Sequence, residues 1–243
     1  MEGYFASIIL QYFVLGALKM TQHTIKSFVL RAGRMSNRQQ QALDNWLVDY
    51  ELLQHESPWC FDKIFGRVAD TVVEIGYGMG DSLAKMAAEN ININYLGLEV
   101  HRPGIGSLVA DLHDNNISNV RIATFDAVDV FKNCIADDSL SGVQIFFPDP
   151  WPKKRHNKRR LIQPDFISLL AKKIKVGGFI HCATDWQDYA TEMLECLSAE
   201  KSLVNNQVHG GFFPRPDSRP LTKFEKRGLR LGHGVWDLIF VRK

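Results

Sequence analysis

The sequence predicts an α/β fold with a mostly parallel sheet, a last antiparallel strand and helices on both faces. Three observations carry that expectation. Five short apolar runs alternate with helical stretches through the middle of the chain, which is the pattern of βαβ units covered on both sides. A glycine-rich turn, Gly76, Gly78 and Gly80, follows the first of those runs. The tail abandons the alternation, and after Pro and Gly punctuation beyond Arg215 it closes on "VWDLIFVRK", a final strand. With 243 residues and 45% hydrophobic content the chain can bury one full core. The expected division is an N-terminal extension of uncertain role, residues 1–30, ahead of a single domain, residues 31–243.

In chain order the first feature is "FASIILQYFVLGAL", about fourteen nearly uncharged residues, too short to span a bilayer by roughly six. Glu2 stands where a signal peptide carries positive charge. Three readings stay open: a targeting segment, an upstream start ahead of a natural Met20, or a packing helix. From Ser36, "SNRQQQALDNWLVDY" opens on a capping-box pattern, Ser36 and Gln39, and spaces Ala42, Trp46 and Tyr50 four apart, predicting a helix. The runs "TVVEI" (71–75), "YLGLEV" (95–100), "VRIATF" (120–125), "VQIFF" (143–147) and "GFIHCA" (178–183) read as strands. Helices are expected near 81–90, 104–115, 127–134, 164–175 and 186–199.

Overall charge says little about partners, since 29 Lys and Arg face 27 acidic residues. The charge is local: six of the eight residues from Lys153 to Arg160 are Lys or Arg. Cys60, Cys134, Cys182 and Cys196 match neither a zinc pattern nor a disulfide framework, so free thiols in a reducing cytoplasm are expected. His113, His156, His209 and His233 suggest no metal set.

Ligands of parallel sheets sit at the carboxyl ends of the strands. The first strand end reads "EIGYGMGD". Its glycines permit a tight turn and close backbone approach, but Asp81 breaks the G-x-G-x-x-G spacing of a dinucleotide site. Glu74 would repel a pyrophosphate and suits a cation. S-adenosyl-L-methionine carries a sulfonium and an ammonium and no phosphate. Glu99, ending the second strand, is placed to accept both ribose hydroxyls, and Asp126, ending the third, to accept from the adenine amino group. The competing reading of the glycines is a purely structural turn.

The fourth strand ends in "FFPDPWPKKRHNKRR". Pro148 and Pro150 restrict the backbone on both sides of Asp149, and Trp151 offers a flat surface beside it. An aspartate held in this way can accept from a purine edge and stabilise positive charge on the ring. The basic run behind it suits a polyanion whose phosphates supply affinity and register. A loop-capping aspartate beside a solvated basic face is the alternative.

These residues resemble one family, the bacterial tRNA (guanine-N7-)-methyltransferases, which methylate the variable-loop guanosine at position 46. The resemblance runs from about Arg31 to the C-terminus and is carried by "RAGRMSNRQ", "EIGYGMG", "GLEVHRPG", "FFPDPWPKKRHNKRR", "ATDW" and "RPLTKFEKRG". It departs mildly at Ser36, where Thr is common, and at Pro152 and Lys154, in a variable part of the loop. The resemblance implies a Rossmann-like class I methyltransferase fold, S-adenosyl-L-methionine as cofactor, tRNA as partner, no membrane, a cytoplasmic location and a monomer or homodimer. It places Glu74, Gly76, Gly78, Gly80, Glu99, Asp126, Ala127 and Asp149 on the cofactor side, with Asp149 as the active-site residue. Lys153, Asp185, Thr222, Lys223, Phe224 and Glu225 then fall to substrate binding, and Arg155, His156, Asn157, Lys158, Arg159 and Arg160 to RNA contact.

Chemistry adds one constraint. Guanine N7 has an in-plane lone pair and no proton, so the reaction needs positioning and electrostatics rather than a base. Asp185 has two readings, a second carboxylate on the guanine edge or the N-cap of "WQDYATEMLECL". Two rival functions share parts of the pattern. A nicotinamide oxidoreductase needs the other glycine spacing, and a noncatalytic RNA-binding protein would have lost the strand-end acids.

Overall fold

A computed structural model describes residues 26–28, 33–54, 58–222, 225 and 234–243. The apolar stretch 5–18, Met20, Arg31, Lys223 and Phe224 lie outside them. Among the described residues helix α1 (Asn37–Asn45) comes first, followed by a 3-10 turn (Leu47–Asp49). The expected capping box is in place: the Ser36 N–H donates to Gln39 Oε1 at 2.8 Å, and the Gln39 N–H to Ser36 Oγ at 3.3 Å. The helix ends earlier than its periodicity predicts. Trp46 caps it at φ −125° and stacks its ring on His113, centroids 3.7 Å apart.

Then follow α2 (Phe61–Phe65), β1 (Thr71–Ile75), α3 (Asp81–Glu89), β2 (Asn94–Leu98), α4 (Arg102–Asp114), β3 (Val120–Ala123), α5 (Ala127–Asn133) and β4 (Leu140–Phe146). After a 3-10 helix (Lys154–Arg159) come α6 (Pro164–Lys173), β5 (Ile174–Thr184), α7 (Gln187–Ala199), β6 (Leu203–Asn205) and β7 (Trp236–Arg242). One sheet runs β3-β2-β1-β4-β5-β7-β6. Strands β1 to β5 are parallel, and β7 is antiparallel to both β5 and β6. The expected last antiparallel strand is therefore present, but it is not the sheet edge. β6 lies outside it, three residues with one buried side chain, too short for a readable period.

Period-2 alternation divides the core between the two faces. Val73, Leu96, Val143 and Ile180 pack with Phe131, Phe166, Leu170 and Met193 of α5, α6 and α7. Val72, Tyr95 and Ile122 pack with Ala42, Leu83 and Leu108 of α1, α3 and α4. Strand order reverses between β1 and β4, which opens a crevice at their carboxyl ends. Among the described residues no helix is long and apolar enough to cross a membrane.

Candidate active site

Gly76, Gly78 and Gly80 carry φ of 74°, 60° and 84°, the left-handed region that side chains avoid. The loop is packed as well as turned: a Cβ on Gly104 of α4 would lie 2.0 Å from the Gly78 carbonyl oxygen, so glycine there lets helix and loop meet. Glu99 fixes the loop from the neighbouring strand. Its Oε2 accepts from the Gly78 N–H at 2.9 Å, and its Oε1 from the N–H groups of Val100 and His101 at 2.8 and 3.0 Å. A carboxylate has about four acceptor sites. Three are used, so Glu99 keeps acceptor capacity for a further donor.

The crevice has two lobes that share Gly76, Phe146 and Phe147. Leu98, Glu99, Ala127 and Asp149 line one, and Glu74, Gly78, Ser82 and Thr222 line the other. The second lobe is short of hydrogen-bond partners. Among the described residues Glu74 Oε2, the Tyr77 hydroxyl and Ser82 Oγ are buried without one, as is Gln144 Oε1, which sits opposite Glu74 in the β1–β4 register. Unsatisfied buried polar atoms are costly and rare. Burial, reinforced by the Glu99 charge, pushes the Glu74 carboxyl up to about 8. A polar ligand with positive charge in this lobe offers partners to Glu74, Tyr77 and Ser82 and returns Glu74 to its ionised form. The residues present therefore fit S-adenosylmethionine.

Beyond β4 the chain turns through Phe147 at φ 53° and Trp151 at φ 44°, each costing on the order of 1–3 kcal/mol outside glycine. External contacts hold this strained segment. The Phe147 N–H donates to the Ala183 carbonyl at 2.8 Å, Trp151 Nε1 to the Ser27 carbonyl at 3.1 Å, and Arg160 Nε to the Pro150 carbonyl at 2.9 Å. Asp149 is exposed at the lobe rim, and among the described residues its carboxylate accepts no hydrogen bond. Asp185 is also exposed, just past the end of the adjacent strand β5. The N-cap reading of Asp185 does not hold. Trp186 occupies the cap, and its N–H donates to Thr184 Oγ1 at 3.2 Å.

Behind the loop, the basic run forms the 3-10 helix. Lys153, Lys154, Arg155 and Lys158 are exposed. Arg159 lies 4.6 Å over the Trp151 ring, and His156 meets that ring edge-on. Two residues expected at the RNA or substrate surface, Arg160 and Glu225, are engaged inside the fold instead, and a third, Asn157, is half-buried. Arg160 is buried, bonded to Pro150, to Asp188 at 2.8 Å and to Glu192, so it ties the Asp149 loop to α7. The Asn157 amide, with its nitrogen turned inward, donates to the carbonyls of Trp151 and Lys153 at 3.2 Å. Glu225 is buried, and both of its oxygens are taken by Arg219 at 2.6 and 2.8 Å. Thr222 lines the crevice as expected.

Asp126 caps α5, its Oδ1 accepting from the Val128 N–H at 2.9 Å. It faces a neighbouring groove with Lys26, Lys132 and Lys158, whereas Ala127 faces the Glu99 lobe. Sequence reasoning missed Tyr77, Phe146, Phe147 and Pro220 as crevice walls. For the two phenylalanines the signal was present, because they immediately precede the Pro-Asp-Pro segment, but an apolar run reads first as core.

Residues 69–238 match the family model described as "Putative methyltransferase". The tRNA (guanine-N(7)-)-methyltransferase of Legionella pneumophila strain Corby is 66% identical over 224 residues, 91% of this chain and 100% of that protein. The enzyme of the same name from Mannheimia succiniciproducens is 50% identical over 219 residues, 90% of this chain and 88% of that one. Among solved structures the fold is similar to the 16S rRNA methyltransferase KamB, with TM-score 0.55, 14% identity and coverage of 75% of this chain and 93% of that one. The aminoglycoside resistance methyltransferase NpmB1 gives a TM-score of 0.52 at 11% identity, covering 79% and 94%.

Proposed function

This chain belongs to the tRNA (guanine-N(7)-)-methyltransferases, and we propose that it methylates N7 of the variable-loop guanosine at position 46, with the crevice between β1 and β4 as its active site. One observation carries the site assignment. An exposed Asp149, unpartnered among the described residues, stands between a crevice whose buried acid calls for a cation and a basic segment, Lys153–Lys158, that presents four exposed cations.

S-adenosylmethionine supplies an electrophilic methyl group on a sulfonium centre. This chain's residues bind and orient. Glu74, Tyr77 and Ser82 receive the charged end of the molecule, and the glycine loop lets it approach the backbone closely. Glu99 takes one ribose hydroxyl on its remaining acceptor site, beside Ala127. Since guanine N7 bears no proton, no side chain need remove one. Asp149 and Asp185, at adjacent strand ends, accept from the N–H edge of guanine and oppose the positive charge that grows on the ring. Lys153, Lys154, Arg155, Lys158 and Arg159 neutralise phosphates and set the register of the tRNA.

The reading extends to a catalytic unit of residues 31–243 that works in the cytoplasm as a monomer or homodimer. The free thiols of Cys60, Cys182 and Cys196 are consistent with a reducing compartment. Incubation with labelled S-adenosylmethionine and unmodified tRNA, followed by cleavage at 7-methylguanosine, tests it. Label confined to position 46 supports the proposal. Label elsewhere, or none across a range of salt, would overturn it.

A further inference from the structure

We propose that Arg219 is a positioning residue, which holds Pro220–Thr222 in place as a wall of the cofactor crevice and ties that wall to the C-terminal strand β7. The inference rests on the crevice being the site described above. Arg219 is among the largest fully buried side chains of the molecule. Its guanidinium makes two forked contacts. Nε and Nη2 donate to the two oxygens of Asp237 at 2.7 and 2.9 Å, and Nη1 and Nη2 to the two oxygens of Glu225 at 2.6 and 2.8 Å. Asp237 Oδ1 also lies 2.7 Å from His181 Nε2.

The place of this cluster explains what it does. His181 on β5 and Asp237 on β7 face away from α6 and α7, on the side of the sheet where α3 and α4 cover the opposite half. On this half Arg219 is buried against Asp237. Three residues lie between Arg219's backbone and the far side of the crevice wall, and all three, Pro220, Leu221 and Thr222, line the lobe opposite Glu74 and the glycine loop. The guanidinium also sits 5.8 and 5.5 Å over the rings of Phe146 and Phe147, the residues common to both lobes. An apolar side chain would bury at lower electrostatic cost. Two opposed carboxylate forks instead fix the direction of the tail as well as its depth, and the Thr222 hydroxyl is held in turn by the Glu225 N–H at 3.1 Å.

The test uses the full chain without tRNA and compares wild type, Arg219→Lys and Asp237→Asn. Asp237 lines neither lobe, so its variant reports only through the network. Hydrogen exchange of the 216–222 segment should accelerate about tenfold or more in Arg219→Lys while β1 and β4 keep their protection. S-adenosylmethionine affinity, measured by calorimetry, should fall at least tenfold, and Asp237→Asn should move both quantities in the same direction. Affinity within twofold of wild type in both variants would overturn the proposal, whether or not the tail loosens. If Arg219→Lys does not fold, Asp237→Asn decides alone. Failure of both to fold would make the network part of the fold's foundation and likewise overturn a positioning role. Wild type that binds S-adenosylmethionine yet methylates no tRNA would sink the functional assignment and leave these measurements intact.

Discussion

The Glu99 carboxylate accepts a hydrogen bond from the Gly78 N–H at 2.9 Å, so the acid of the second strand end holds the loop of the first before any ligand arrives. Glu99→Gln therefore does two kinds of damage. It loses charge-assisted acceptance, worth roughly 1.5–3 kcal/mol per bond, and turns an NH2 group toward backbone N–H donors. S-adenosylmethionine affinity should drop by about tenfold or more, at 1.4 kcal/mol per decade. Equal affinity by calorimetry would remove Glu99 from the site.

Glu74 predicts an unusual pH dependence. Its carboxyl titrates at about 8 in the fold against 4.5 in the unfolded chain, so between those values the folded state binds the extra proton. Its contribution is full below the unfolded pKa and is lost as pH rises through the folded one. On the order of 1 kcal/mol per pH unit is at stake, about 2–4 °C in Tm for a chain of this size. Scanning calorimetry of the ligand-free protein between about pH 6 and 8.5 should show Tm falling with pH, and Glu74→Gln should flatten the slope. Parallel slopes for the two proteins would contradict it.

The basic helix separates into two populations. Reversing exposed Lys154, Arg155 and Lys158 to Glu should weaken tRNA binding and flatten its log–log salt dependence, since each phosphate contact adds to that slope. Folding stability should hardly change. Arg160→Ala should do the opposite, costing about 1–3 kcal/mol as the Pro150 carbonyl and the α7 carboxylates lose their partner. Binding isotherms over a salt series and urea melts distinguish them, and a salt slope untouched by the triple reversal would leave the run a solvated face.

Much of the fold was legible because parallel strands buried on both faces are continuous apolar runs. β1 and α3 begin at their expected residues, and the capping box at Ser36 formed as read. What escaped were elements without a period, such as β6 and the 3-10 helix from Lys154 to Arg159. The site was legible as a set of residue types at strand ends, but not in its bonding. Arg155 and Arg160 look alike in a basic run, yet one is exposed and the other buried against α7. Glu225 likewise reads as a ligand-facing acid until Arg219, six residues earlier, takes both its oxygens. Only long-range packing makes those distinctions.

The account turns on Asp149 acting by position and charge, with no proton to remove. Single-turnover methylation of unmodified tRNA, with both substrates saturating and the product mapped by cleavage at 7-methylguanosine, tests this most directly. For wild type the rate should be nearly flat from about pH 6 to 9, since no proton leaves guanine N7 in the transition state. Asp149→Ala should lower it by about 10² to 10³, the usual cost of one electrostatic stabiliser, and Asp149→Asn should be nearly as slow because its amide cannot oppose the cation. Near wild-type rates in both variants would reduce Asp149 to a loop residue. A solvent isotope effect well above unity would make it a general base and contradict the account.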